Sequence, residues 1–190
     1  SYFSKRSGFV INQLSGGGCE HMGNFPTFPV KGKLKMSPDN ILNYRINISE
    51  EKGHVGYYEA KVQEDIHAKL TVTERTGMAS YEYPADQQYG TVIIGGGISA
   101  TPIEQAAIVI TAPNKCEGYA EGGNFCGLRT PYKVYFVAEF DTDALESGTW
   151  KRDELKPNTT FAEGEYSGVY FTFDVNKKKN IQYKIGVSYV

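Results

Sequence analysis

The chain has 190 residues, 40% hydrophobic and 13% aromatic, with 14 tyrosines, 10 phenylalanines and 21 glycines. That length suits a single domain with a real core, and the aromatic content suits pleated, half-buried strands. A net charge of -2 leaves no basic footprint for nucleic acid or an anionic membrane, and no apolar run is long enough to span a bilayer as a helix.

In chain order, the first unusual stretch is Leu14-Ser15-Gly16-Gly17-Gly18-Cys19-Glu20-His21-Met22-Gly23-Asn24-Phe25-Pro26. Glycine permits close backbone approach and positive φ, and polar side chains on such a loop can converge on a ligand. The competing reading is a glycine-rich hairpin around a buried cysteine, and composition does not separate the two. No Gly-Lys-Ser/Thr follows, so this is not a Walker loop, and no βαβ pattern surrounds it, so it is not a dinucleotide fingerprint. Cys19 and His21 lack an evident third group that would orient them as nucleophile and base. With three histidines in the chain, a zinc site is also a poor fit.

Ser37-Pro38-Asp39-Asn40 and Lys52-Gly53 carry turn chemistry, between predicted strands at 41–49 and 56–62. Ile66, Ala68, Leu70 and Val72 alternate with His67, Lys69 and Thr71, which predicts a strand with one buried and one wet face. Strands follow at 79–83 and 90–95, with a turn at Pro84-Ala85-Asp86 between them. No helix of useful length opens after Gly95-Gly96-Gly97, so this run reads as a turn rather than a phosphate cradle. Residues 103–107 read either as a helical turn or as the lead into a strand at 108–111, and another strand is predicted at 115–120. Glu121-Gly122-Gly123-Asn124-Phe125-Cys126-Gly127 has groups that suit a sugar, but reads first as an exposed loop. Alternation returns at Val134, Phe136, Ala138 and Phe140, at Val169, Phe171, Phe173 and Val175, and at Ile181, Tyr183, Ile185, Val187 and Tyr189. Residues 143–146 suggest one helical turn, and Asn176-Lys177-Lys178-Lys179-Asn180 a solvated hairpin tip. About eleven short strands in one domain over 1–190 point to an all-β fold, a large antiparallel two-sheet sandwich.

The three cysteines, Cys19, Cys116 and Cys126, leave at least one thiol free. Cys116 and Cys126 could close one loop or stay reduced and buried. Glycoside hydrolysis needs two facing carboxylates, and none of the 22 acidic residues is singled out. No catalytic residue is therefore assigned.

Several segments resemble, in colinear order, the N-terminal β-sandwich of family 92 glycoside hydrolases, the calcium-dependent bacterial α-mannosidases. They are Gly8-Phe9, Leu14-Ser15-Gly16-Gly17-Gly18-Cys19, Gly23-Asn24-Phe25-Pro26, Gly56-Tyr57-Tyr58, the run from Ala68 to Gly77, Tyr81-Glu82-Tyr83-Pro84, the run from Val134 to Phe140, and Ile185-Gly186-Val187-Ser188-Tyr189-Val190. The resemblance implies a galactose-mutarotase-like supersandwich, truncated here at both ends, that docks on a C-terminal (α/α)6 domain. It implies an inverting exo-α-mannosidase acting on mannose-containing glycans, with the acid, the base and the calcium ligands in that second domain. This chain would then hold no metal ligand and no catalytic residue, and would be inactive alone. The loop would line the leaving-group side of the pocket, which makes Ser15, Gly18, Cys19, Glu20, His21 and Asn24 the implied substrate-binding residues. A secreted, cell-surface or periplasmic bacterial protein is implied as well. Asn24 stands where many members carry aspartate, and Val10-Ile11-Asn12-Gln13 lacks the histidines usual there. The alternative is a stand-alone carbohydrate-binding module whose Tyr and Phe rings stack on sugars.

Overall fold

The structure, a computed structural model, describes residues 8–13, 22–39, 47–123 and 127–189. Among these residues the regular elements are almost all strands. A nine-stranded antiparallel sheet runs in the order β14 (Phe161–Glu163), β9 (Ile103–Ala112), β10 (Lys115–Gly122), β11 (Tyr132–Phe140), β16 (Asn180–Ser188), β7 (Thr76–Glu82), β6 (Ile66–Val72), β5 (Tyr57–Val62), β4 (Ile48–His54). A five-stranded antiparallel sheet runs β13 (Glu154–Pro157), β12 (Glu146–Lys151), β15 (Ser167–Asp174), β8 (Tyr89–Gly95), β3 (Thr27–Lys31). A short ladder joins β1 (Asn12–Gln13) to β2 (Met22–Asn24).

The predicted alternation sets the faces of the large sheet. On β11, Val134, Phe136, Ala138 and Phe140 are buried, while Tyr135 and Val137 face water. Phe140 meets Phe171 and Phe173 of the small sheet, with ring centroids 4.9 and 5.1 Å apart, so the core lies between the two sheets. Tyr81, Tyr183 and Thr27 carry their hydroxyls into this core and hydrogen-bond one another, and Tyr83 donates to the Thr91 carbonyl at 3.0 Å. Burial pushes all three tyrosine hydroxyls above the ordinary phenol range.

The small sheet departs from the expectation of one wet face. On β15 every residue from Ser167 to Phe173 is buried. Tyr170 lies in one row with Ile93 and Phe28 on the neighbouring strands, on the side away from Phe171, and all three are buried. The chain after β3 runs beside this sheet: Leu34 packs against the core, and the buried Ser37 hydroxyl donates to the Arg152 carbonyl.

Three local expectations are corrected, and the open choice at 103–107 is decided. Lys52-Gly53 lies inside β4, and the turn is the two-residue Val55-Gly56, with Gly56 at φ 81° and a bulge between Ser49 and Lys52. Residues 103–107 extend β9, because Ala106 and Ile108 share its core face. No helix forms at 143–146; Glu146 opens β12. Residues 176–180 are not a hairpin tip, since β15 and β16 belong to different sheets and the turn carries the chain from one to the other. The glycine run is a packing device: the Gly96 and Gly97 amides donate to the Ser167 carbonyl at 2.9 and 3.0 Å, and a Cβ on Gly97 would lie 1.9 Å from the Gly164 oxygen.

Candidate functional site

The glycine-rich segment joins β1 to β2, a ladder too short to hold itself together. Side chains hold its neck instead. The Asn24 amide donates to Asn12 Oδ1 at 2.8 Å, and Asn12 Nδ2 donates back to Asn24 Oδ1 at 3.1 Å. Tyr132, at the start of β11, donates its hydroxyl to the same Asn24 oxygen at 2.9 Å and bonds the Thr101 hydroxyl at 2.9 Å. The Met22 carbonyl accepts from the Ala100 amide and the Ser99 hydroxyl, both at 2.8 Å. Asn12 Nδ2 also donates to Tyr189 Oη at 3.0 Å, just beyond β16. Five separated stretches of sequence thus meet at one neck.

This neck carries two kinds of cost. Met22 and Phe25 hold left-handed backbone, φ 50° and 53°, on either side of Gly23-Asn24, a conformation that costs non-glycine residues roughly 1–3 kcal/mol each. The Asn24 side chain is fully buried, and its Nδ2 has no hydrogen-bond partner. A buried donor left unsatisfied costs about 1–3 kcal/mol. Phe25 anchors the far side, with its ring 4.2 Å from that of Phe136.

Of the implied substrate-binding residues, Asn24 sits at the neck as described; Ser15, Gly18, Cys19, Glu20 and His21 lie outside the described residues. Cys126 does too, whereas Cys116 is a free thiol on β10, wholly buried and pushed well above the ordinary thiol range by burial. Asn12, Thr101, Tyr132 and Tyr189 were not singled out in sequence, because nothing local marks a residue whose partner is 177 positions away.

Other surfaces suit a sugar less well. The cleft beside Phe9 is walled by Ile11, Phe25, Leu70, Ala79 and Ile185, and offers few groups to hydroxyls. On the wet face of the large sheet, Tyr119 and Tyr135 lie 6.1 Å apart, but the Lys133 ammonium sits over both rings, 4.1 and 5.3 Å from their centroids, and pairs with Glu121 at 2.6 Å. Neither ring offers a bare stacking platform. Near β5, Glu59 accepts from Tyr57 at 2.7 Å, which holds its carboxyl below the usual range, within a solvated network with Lys52 and His67. Among the described residues no group of three or more His, Cys, Asp or Glu side chains could hold a metal ion.

The fold and neck define a large antiparallel β-sandwich domain with a polar, side-chain-braced neck between β1 and β2. The sequence profile described as "Glycosyl hydrolase family 92 N-terminal domain" matches residues 2–188, and the chain belongs to this family. Among solved structures it is similar to the family 92 glycosyl hydrolase ccman5, at 22% identity and a TM-score of 0.81 over 96% of this chain and 26% of that one. The family 92 α-mannosidase BT3965 from Bacteroides thetaiotaomicron, solved also with mannoimidazole, matches at 22% identity and 0.81 over 97% of this chain and 26% of its own. The inverting mannosidase BT2199 from the same organism matches at 22% and 0.71, over 87% and 22%. The chain thus spans about a quarter of the length of these structures. No curated protein sequence matches it.

Proposed function

We propose that this chain is the N-terminal sandwich of a calcium-dependent, inverting exo-α-mannosidase that acts on mannose-containing glycans. The observation that carries the reading is the family match over nearly the whole chain, joined to structural neighbours that are mannosidases. In this reading the loop from Ser15 to Asn24 lines the leaving-group side of the pocket, and Ser15, Gly18, Cys19, Glu20 and His21 contact that sugar, while the implied contact from Asn24 gives way to its buried place in the neck. The sandwich docks on a C-terminal (α/α)6 domain that holds the acid, the base and calcium. A secreted, cell-surface or periplasmic location in a bacterium fits a glycan-degrading role.

Bond cleavage needs two carboxylates across the scissile bond, and calcium needs six to eight oxygen ligands. We assign the paired acids and the ion to the second domain on the family resemblance alone. The test is to assay α-mannobiose hydrolysis with this chain alone and with the full polypeptide that carries it, with and without a chelator. The full polypeptide should be active and chelator-sensitive, and this chain inactive. Chelator-insensitive turnover by this chain alone would overturn the proposal.

A further inference from the structure

The outward face of the nine-stranded sheet is divided. Across β14, β9, β10 and β11, two neighbouring rows carry apolar side chains: Phe161, Val109 and Val137 in one, Ala107, Tyr119 and Tyr135 in the other. Phe161, Tyr135 and Val137 are 54%, 42% and 42% exposed. From β16 onward the same face is polar apart from Met78, with Gln182, Lys184, Ser80, Glu82, His67 and Lys69. A sheet whose outer face met only water would have no reason to segregate its side chains in this way. Glu117 stands within the apolar half, between Val109 and Val137, exposed and without an ion pair among the described residues. Lys133 and Glu121 pair at 2.6 Å beside the two tyrosines and form a polar rim.

Size decides between partners. Four strands about 4.8 Å apart and two rows about 7 Å apart make a patch of roughly 300 Å². A freely associating partner, a second copy included, needs about 800 Å² on each side. The patch is too small to hold one, unless the partner is tethered and so kept at high effective concentration. β16 borders the patch and ends at Ser188, opposite Tyr135, so polypeptide that follows it emerges at the patch. The chain spans about a quarter of the length of its structural neighbours. We propose that the β14–β9–β10–β11 half of the outer face is the docking surface for the second domain of the same polypeptide, which lays an apolar surface on it and brings a lysine or arginine to Glu117. The inference rests on the second-domain part of the proposed reading, and not on its mannosidase chemistry.

The test uses the full polypeptide that carries this chain, with Cys19 and Cys126 changed to serine. Val137→Cys places a thiol in the patch, Ala107→Cys repeats the probe on β9, and Lys184→Cys places one on the polar part of the same face. All three side chains point outward, so each change leaves the core intact. Maleimide labelling of the native protein is read by mass spectrometry of the cysteine-bearing peptides. It should be about a hundredfold slower at positions 137 and 107 than at 184, with the difference abolished in denaturant. Adding Glu117→Lys to Val137→Cys should speed labelling about tenfold, through a like-charge clash with the docked cation. Equal labelling at the three positions would overturn the proposal. So would protection that fades on dilution, which marks a second copy, and protection untouched by Glu117→Lys. Labelling needs no substrate. A wild-type polypeptide that cleaves no α-mannoside therefore overturns the mannosidase reading alone, whereas an active one labelled equally at the three positions overturns this inference alone.

Discussion

Gly168→Ala isolates packing from backbone preference, because Gly168 does not occupy the left-handed region. The added Cβ would lie 2.3 Å from Trp150 Cη2, 2.6 Å from Cζ2 and 2.4 Å from the Ile94 carbonyl oxygen. Non-bonded carbon atoms settle near 3.5–4.0 Å, so the ring must retreat by roughly 1 Å or more. Trp150 is fully buried, and the Ile94 oxygen belongs to a ladder that pairs Ile94 with Val169, so neither has room to yield. Overpacking a tight core costs about 1–3 kcal/mol, and more where backbone must move. Against this stands a gain of roughly 0.4–1 kcal/mol from reduced unfolded-state entropy, too small to reverse the sign. We expect a loss of about 3 kcal/mol, which in a domain of this size lowers Tm by roughly 6–12 °C. Urea and thermal melts followed by circular dichroism measure it, with the fluorescence of the sole tryptophan as a second probe. Trp150→Phe in the same background removes the ring atoms nearest the new Cβ, so the double variant should be less destabilised than the sum of the singles by about 1 kcal/mol. A Gly168→Ala protein that melts with the wild type, or a strictly additive pair, would refute the packing argument.

The buried tyrosines predict alkaline sensitivity. Tyr81, Tyr83 and Tyr183 have folded pKa values raised above the unfolded value by burial, so the stability they contribute is fully present below about pH 10 and falls as pH rises beyond it, by ~1.4 kcal/mol per pH unit per tyrosine. Phenolate absorbance from these residues should appear only together with loss of circular dichroism; complete titration of the tyrosines in the folded protein would contradict the burial. In a Cys19→Ser, Cys126→Ser background, Cys116 should resist a maleimide at neutral pH until denaturant is added, and rapid labelling of the native protein would count against its buried, protonated state. His21→Ala in the full polypeptide should raise KM for mannobiose about tenfold while kcat changes little, as expected for a lost binding contact; an unchanged KM removes His21 from the pocket.

Strand existence was legible in the sequence where buried and wet side chains alternate over a long run. β6, β11 and β16 alternate because water meets every second side chain, and their core residues are those the period of two selects. β15 shows where this reasoning stops. Val169, Phe171 and Phe173 alternate with Tyr170 and Thr172, but Tyr170 is amphipathic and Thr172 spends its hydroxyl on Thr91 at 2.8 Å, so polar-looking positions are buried too. β3 was missed because it carries Pro29, and β12 to β14 because their segments are short and charged. At the neck, glycine content and resemblance led to Asn24. Its partners come from β1, the loop before β9 and β11, a register that only the folded sheets create.

The strand order also bears on synthesis. β16 stands between β11 and β7, and β15 between β12 and β8. The strands that join the halves of both sheets therefore come from residues 167–188, late in the sequence. On the ribosome, β7, β8, β11 and β12 must wait, each with an open hydrogen-bonding edge, until those residues emerge. Such edges recruit other chains, and pairings this distant in sequence form slowly. The open edges of this sandwich are thus most exposed to aggregation just before β15 and β16 emerge.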